Sequence, residues 1–166
     1  MARRPIRRRG PIDRARRRQA AQRRVGLGAQ CVCGEWRAAA LVADRTPIVC
    51  HACLRAAHGK VDIDAHHVAG RANDPTTIPI PTNDHVAILT ERQRDWPEET
   101  ARNPDGDPLL RAAACVRGFF DSLLYLAERL LLTTAMALES ASAFLTENVG
   151  RFWWRGTPLE PFSPTR

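Results

Sequence analysis

The stretch that decides the fold is Asp62–His85, DIDAHHVAGRANDPTTIPIPTNDH, which holds three of the chain's five histidines. Residues 61–65 alternate apolar and polar side chains, which is the period of a half-buried strand. A turn-rich segment and the β-branched run TTIPIP follow, and the prolines of that run favour a sheet edge. TNDHVAILTERQRDWP then begins with helix-starting residues and predicts a short helix that ends before Trp96. The pattern predicts strand, loop, strand and helix.

The histidines of this stretch indicate a metal site with catalytic potential. Neighbouring side chains of a strand point to opposite faces, so His66 and His67 cannot both face one metal unless the strand ends or bulges there. We expect one of them to hold a metal and the other to activate water, while His85 offers a ligand from the helix start. Histidine can serve both purposes near neutral pH. A metal with two or three protein ligands keeps positions open for water and a phosphate oxygen, which predicts metal-assisted hydrolysis.

The cysteines indicate a second, structural metal. Two close pairs on tight turns can supply the tetrahedral thiolate set that zinc prefers, and they are Cys31, Cys33, Cys50 and Cys53. His51 and His58 are alternative ligands, and Cys115 is interpreted as a small core residue. No secretory signal follows Met1, so we expect a cytoplasmic protein in which paired cysteines bind metal rather than form disulfides.

The positive charge is concentrated at the start of the chain. The net charge is +7, yet residues 1–24 carry eleven arginines and one acid, and the remainder, with 14 basic and 17 acidic residues, is negative. Such a polar segment predicts a disordered arm that binds phosphate backbones without reading sequence. The arginines proposed for nucleic-acid contact are Arg3, Arg4, Arg7, Arg8, Arg9, Arg16, Arg17 and Arg18, with Arg71 as a further candidate near the metal.

The rest of the chain divides by composition. We expect a metal-bound core over residues 25–97, a polar linker over 98–108, a helical region over 109–154 and an irregular tail over 155–166. The helical region is interpreted either as one helix or as two helices broken near Thr133. Two roles stay open for it: packing on the metal core, or forming a homodimer. A membrane span is not expected, because charged residues interrupt every long apolar run, namely Asp121, Glu128 and Arg129.

The stretch Asp64-Ala-His66-His67, its glycine loop and the final Asn83-Asp84-His85 resemble the HNH endonuclease family. This resemblance implies an α+β fold with a ββα-metal core, here stapled by zinc, between a basic arm and a C-terminal α-helical region. It implies phosphodiester hydrolysis that leaves a 5′-phosphate and a 3′-hydroxyl, with double-stranded DNA as the expected partner.

The resemblance also implies roles for individual residues. His66 and His85 would bind one catalytic divalent ion (Mg²⁺, Mn²⁺, Ni²⁺ or Zn²⁺), His67 would be the general base, and Asp64 would be a ligand or would orient one. The family's middle asparagine, which ties the loop by hydrogen bonds, corresponds to Thr76 or Asn73. Many zinc-bearing members place a second cysteine pair just before the final histidine. Here the zinc would use the four cysteines upstream of the hairpin instead.

Overall fold

The computed structural model describes residues 10–162 and shows a mixed α+β protein with two small antiparallel sheets. The chain forms two compact units, residues 1–125 and residues 126–166. In the first unit the elements are α1 (Pro11–Val25), β1 (Leu41–Val42), β2 (Val49–Cys50), α2 (His51–Ala57), β3 (Ile63–His67), β4 (Thr77–Pro81), α3 (Thr82–Asp84), α4 (Thr90–Gln93), α5 (Glu98–Arg102) and α6 (Pro108–Leu126), whose last residue lies in the second unit.

The predicted hairpin and helix are present. Strands β3 and β4 pair antiparallel with His66 opposite Ile78 and His67 opposite Thr77. A π-helical turn, His85–Leu89, joins α3 to α4, so helical backbone runs from Thr82 to Gln93. Ile80 and Leu89 are buried and pack with Tyr125 of α6, which covers the hairpin and the helix with one apolar cluster. The first strand begins two residues later than expected and extends through both histidines.

The expectation of a disordered arm over residues 1–24 is wrong for residues 11–24, which form α1; residues 1–9 lie outside the described part of the chain. Arg14 pairs with Asp95 at 2.6 Å, and Arg17 pairs with both Glu91 and Asp95. Val25, at the end of α1, is buried with Cys31, Leu41 and Cys50. The ion pairs with distant acids and the burial of Val25 therefore hold this arginine-rich segment in a folded helix.

The expected linker over residues 98–108 is also folded. It contains α5, and Thr100 and Asn103 are buried. Asn103 donates to the Asn73 side chain and to the Asp107 carbonyl, which holds the turn before α6. Ala114 of α6 packs on Ala69 and Trp96, so the core expected over residues 25–97 also includes part of the predicted helical region.

The second unit is helical at its start. A π-helical turn, Ala127–Leu132, leads into α7 (Thr133–Asn148), so the helix break expected near Thr133 is absent from the described chain. Beyond α7, Trp153 and Trp154 make an edge-to-face contact and the guanidinium of Arg155 lies 4.2 Å from the Phe152 ring centre. Turns and a 3₁₀ turn, Glu160–Phe162, follow. Among residues 10–162, no helix has the length and apolarity needed to cross a membrane.

Candidate metal centres

The four cysteines converge on one point between a tight turn, a small hairpin and a helix. Cys31 and Cys33 lie on a turn in which Gly34, with φ +91°, donates its amide to the Cys31 carbonyl. Cys50 ends β2 and caps α2, where its Sγ accepts a hydrogen bond from the Cys53 amide at 3.4 Å. One ligand atom from each of the four residues lies within 4.8 Å of the others.

The geometry of this quartet fits a structural metal such as zinc. The Sγ atoms of Cys33 and Cys50 are 3.6 Å apart, close to the separation of about 3.8 Å between thiolates of a zinc tetrahedron. Burial alone would raise the pKa of the Cys31 thiol, but hydrogen bonds from the Cys33 and Cys50 backbone outweigh it and the pKa falls to about 7. A thiolate ligand is therefore accessible near neutral pH.

The quartet is also part of the first apolar core. Cys31 and Cys50 are buried with Val25 and Leu41. A metal clamp here would stabilise the contact between α1 and the small hairpin, because Val25 of α1 and Leu41 of β1 belong to the same cluster as these cysteines. The alternative ligands His51 and His58 are not members of the converging group.

The second candidate centre lies between the long hairpin and the helix that follows it. The imidazole rings of His66 and His85 approach edge to face, with ring centres 5.2 Å apart. His66 reaches this point from β3, and His85 from the first residue of the π-helical turn. Such turns often occur at functional sites because they change the direction of a side chain within a helix.

Asp64 contacts His85, and Arg55 in turn contacts Asp64. Asp64 lies two residues before His66 on the same face of β3, and its Oδ2 is 3.3 Å from His85 Nδ1. The other carboxylate oxygen pairs with Arg55 of α2 at 2.9 Å. Because a carboxylate only accepts, this contact places the proton of His85 on Nδ1 and leaves Nε2 with a free lone pair. Asp64 therefore acts on His85 as an orienting group.

His66 is held in its neutral form. It is 2% exposed, and burial, reinforced by the neighbouring imidazoles of His85 and His67, lowers its pKa to about 4. Gln93 of α4 approaches the His66 Nε2 at 3.4 Å while it donates to the carbonyls of His67 and Val68. A neutral imidazole is the form that binds a metal ion.

His67 is the last residue of β3, where the strand ends and the glycine loop begins. Its side chain is half-buried, and its Nδ1 is buried with no hydrogen-bond partner among the described residues. Its backbone is fixed, because Gln93 donates to its carbonyl oxygen at 2.7 Å. The residue is thus positioned next to the histidine pair with unused hydrogen-bonding capacity on its ring.

Asn73, and not Thr76, ties the loop. The Asn73 amide donates to the carbonyls of Ala69 and Thr100, at 3.1 Å and 3.0 Å, and its side chain is buried. Thr76 is exposed. Its carbonyl accepts from the Val68 amide, and both its amide and its side chain bond the Asp74 carboxylate, which lies two residues away. The Thr76 side chain bonds a residue of the same loop, whereas Asn73 joins the loop to Thr100 of α5, so Asn73 fits the tying role better.

Within residues 10–162 the cysteine quartet is the sole group of three or more metal-ligand atoms that lie close together. Asp64, His66 and His85 do not form a second such ligand set. The histidine centre presents two imidazoles, those of His66 and His85, and the carboxylate of Asp64 contacts His85. Sequence reasoning did not identify Gln93 or the effect of Arg55, because neither belongs to a recognisable spacing.

The arginines expected to contact nucleic acid differ in availability. Arg16 and Arg18 of α1 and Arg71 of the glycine loop are exposed, whereas Arg17 is half-buried and engaged by Glu91 and Asp95. Arg17 is thus wrongly expected to be a free phosphate contact. The remaining five, Arg3, Arg4, Arg7, Arg8 and Arg9, lie outside the described residues.

Comparison with known protein families, with curated proteins and with solved structures found no match to this chain.

Proposed function

We propose that this protein is a metal-dependent endonuclease of the HNH type that hydrolyses phosphodiester bonds in DNA. The observation that carries the proposal is the approach of the His66 and His85 rings to 5.2 Å between ring centres. The two rings come from a hairpin and from the helix that follows it, which is the arrangement that the ββα-metal resemblance implies. No other pair of described histidines makes a ring contact of this kind.

In this proposal His66 and His85 hold one divalent ion. When bound, such an ion neutralises charge on the phosphate and on the leaving oxygen. Asp64 accepts from His85 Nδ1, so the opposite nitrogen of that ring would be turned toward the ion. Arg55 compensates the Asp64 charge and links the hairpin to the zinc-binding helix α2. The structural zinc would therefore help to position the residues that hold the catalytic ion.

His67 would remove the proton from the attacking water. It is the last residue of β3, where the strand gives way to the glycine loop, and in this proposal its ring would reach the side of the strand on which His66 lies. Asn73 would keep the following loop in place through Ala69 and Thr100, and Gln93 would fix the His67 backbone. General-base catalysis of this kind contributes roughly 10²- to 10⁴-fold to a rate.

Nucleic-acid affinity would come from exposed arginines. Arg16 and Arg18 lie on the solvent side of α1, and Arg71 follows His67 by four residues. Arginines on a helix bind phosphates through counterion release, so affinity should fall steeply with salt. DNA rather than RNA, and the 5′-phosphate and 3′-hydroxyl products, are expected from the family resemblance alone.

A second candidate function is a zinc-stabilised nucleic-acid-binding module without catalysis. Two observations favour it: the cysteine quartet is the fully assembled ligand set of the described chain, and α1 presents exposed arginines. In that case the histidine pair would be a packing contact between hairpin and helix.

Cleavage of supercoiled plasmid with Mg²⁺, Mn²⁺ or Ni²⁺ tests the two readings. The nuclease proposal expects cleavage by the wild type, loss of at least about 100-fold in His67→Ala, and unchanged DNA affinity of that variant by fluorescence anisotropy. His58→Ala, an exposed histidine at the end of α2, is the matched control and should cleave normally. Binding without metal-dependent cleavage by the wild type would replace the nuclease by the binding module.

A further inference from the structure

The second unit of the chain lacks a core of its own. Of its described residues, 126–162, none is buried. Its large apolar side chains include Leu131, which is 72% exposed, and Leu138, which is 67% exposed. Helices in proteins gain most of their stability from packing an apolar face. Another surface is therefore needed to cover α7.

The apolar residues of this region follow a repeat of seven. Leucine recurs at 131, 138 and 145, and a small residue lies three positions after the first two, Thr134 and Ala141. We call these five residues the leucine seam. A seven-residue repeat of this kind keeps one face of a helix against a partner helix, as in coiled coils. The seam runs from the π-helical turn through most of α7.

The seam is complementary in size to its own antiparallel copy. In an antiparallel helix pair, each leucine position of the seam faces a small-residue position of the other helix. Leu138 would then lie opposite Ala141 of the second copy, and Leu145 opposite Thr134. Each layer then combines one large and one small side chain, and this alternation fills a core well. In a parallel pair leucine would meet leucine and the small residues would leave gaps.

The charges around the seam also favour a second copy over other partners. No Lys or Arg occurs between residues 130 and 150, so this face offers nothing to a phosphate backbone or to an anionic membrane surface. The acids of α7, Glu139 and Glu147, follow the leucines by one and two positions and lie off the seam. The flanking positions are apolar or neutral, and they include Leu130, Phe144 and Val149, all at least 63% exposed.

We propose that the chain forms a two-fold symmetric homodimer in which α7 packs antiparallel on α7 of a second copy through the leucine seam. The seam and its apolar flanks would bury roughly 600 Å² per copy, which is at the low end for a specific interface. Dimerisation is accordingly expected in the micromolar range. It is independent of the nuclease proposal, since the seam contains none of the residues of the histidine centre.

Sedimentation equilibrium of the full-length zinc-bound chain tests the proposal. At tens of micromolar the wild type should have twice the 18.5 kDa mass of one chain. Leu138→Glu places a carboxylate in the central layers and should weaken the dimer by roughly 100-fold or more. Met136→Glu is the matched control, because Met136 lies on the opposite side of α7, is 58% exposed and should leave the dimer intact. Zinc content verifies that each variant retains a folded first unit.

A photo-crosslinking residue at Asn148, mapped by mass spectrometry, tests the orientation. The antiparallel pair places Asn148 near Leu131 of the second copy, so crosslinks should fall there. Crosslinks to residues 145–150 of the second copy would show a parallel pair and overturn the proposal. A monomeric wild type, or equal dissociation of the Leu138→Glu and Met136→Glu variants, would overturn it as well.

Discussion

Asp64 lies 3.3 Å from His85, Oδ2 to Nδ1, and the same carboxylate is bound by Arg55 at 2.9 Å. Together these contacts join three elements: helix α2, which carries Arg55, the hairpin and the helix that begins at Thr82. A carboxylate behind a histidine fixes the tautomer of the ring and raises the basicity of its free nitrogen. In the proposed nuclease this contact would orient His85 toward an ion on the other side of its ring.

The first prediction concerns this carboxylate. Asp64→Asn keeps the size of the side chain but removes its charge, so affinity for a divalent ion at the histidine centre should fall by about 10- to 100-fold. Isothermal titration of the zinc-loaded protein with Ni²⁺ or Mn²⁺ measures this. Asp105→Asn, at an exposed turn position, serves as control. Equal metal affinity of both variants would show that Asp64 has no part in metal binding.

The sequence was sufficient for the parts of the fold that are set by local pattern. The hairpin, the following helix and the convergence of four cysteines depend on alternation, turn residues and ligand spacing, which are visible within short windows. In contrast, α1 was misread as disordered because the acids that neutralise Arg17, Glu91 and Asp95, are more than seventy residues away. Composition alone cannot reveal a distant partner.

The candidate site also combines residues that a local sequence pattern predicts with residues whose roles depend on distant contacts. Its histidines could be found from their spacing, but the choice between Asn73 and Thr76 depended on the Thr100 carbonyl, which lies in a segment predicted to be a linker. Gln93 was missed because its hydrogen bonds go to backbone carbonyls, which leave no sequence signal. The π-helical turn at His85 likewise has no recognisable pattern, although it decides where that ring points.

The second prediction concerns the structural metal. Cys50 is buried in the first core cluster and its Sγ accepts from the Cys53 amide. Cys50→Ser should reduce bound zinc from one ion to none and lower the free energy of unfolding by several kcal/mol, because metal binding at such sites is coupled to folding. Elemental analysis and thermal unfolding report the two effects.

Cys115→Ser provides the comparison for that experiment. Cys115 is half-buried beside Ala69, Trp96 and Ala114 and lies outside the quartet, so the variant should retain zinc and most of its stability. Removal of zinc by a chelator should lower the melting temperature of the wild type. It should change the melting temperature of the Cys50→Ser variant little. A wild type whose unfolding is insensitive to zinc removal would contradict a structural role for the quartet.

The third prediction concerns a buried polar network beside the helix that carries His85. The Tyr125 hydroxyl donates to Asp84 Oδ2 at 2.9 Å, and Arg37 binds the other oxygen of that carboxylate at 2.8 Å. Both Tyr125 and Asp84 are buried. Tyr125→Phe removes one donor from a buried carboxylate and should cost about 1–3 kcal/mol of stability. Urea unfolding measures it, and Phe119→Leu, at an exposed position of α6, should cost clearly less.

The fourth prediction concerns the closest approach between α6 and the glycine loop. A Cβ at Gly118 would lie 1.9 Å from the carbonyl oxygen of Val68, a contact that backbone atoms cannot relieve without a shift of one element. Gly118→Ala should therefore destabilise the first unit by about 3 kcal/mol. Because Val68 follows His67, the Gly118→Ala substitution should also lower any metal-dependent cleavage. Gly10→Ala, where a Cβ meets nothing within 4 Å, is the control for both readouts. Equal stability of the two variants would mean that α6 does not pack this closely on the loop, and the positioning of His67 would then need another explanation.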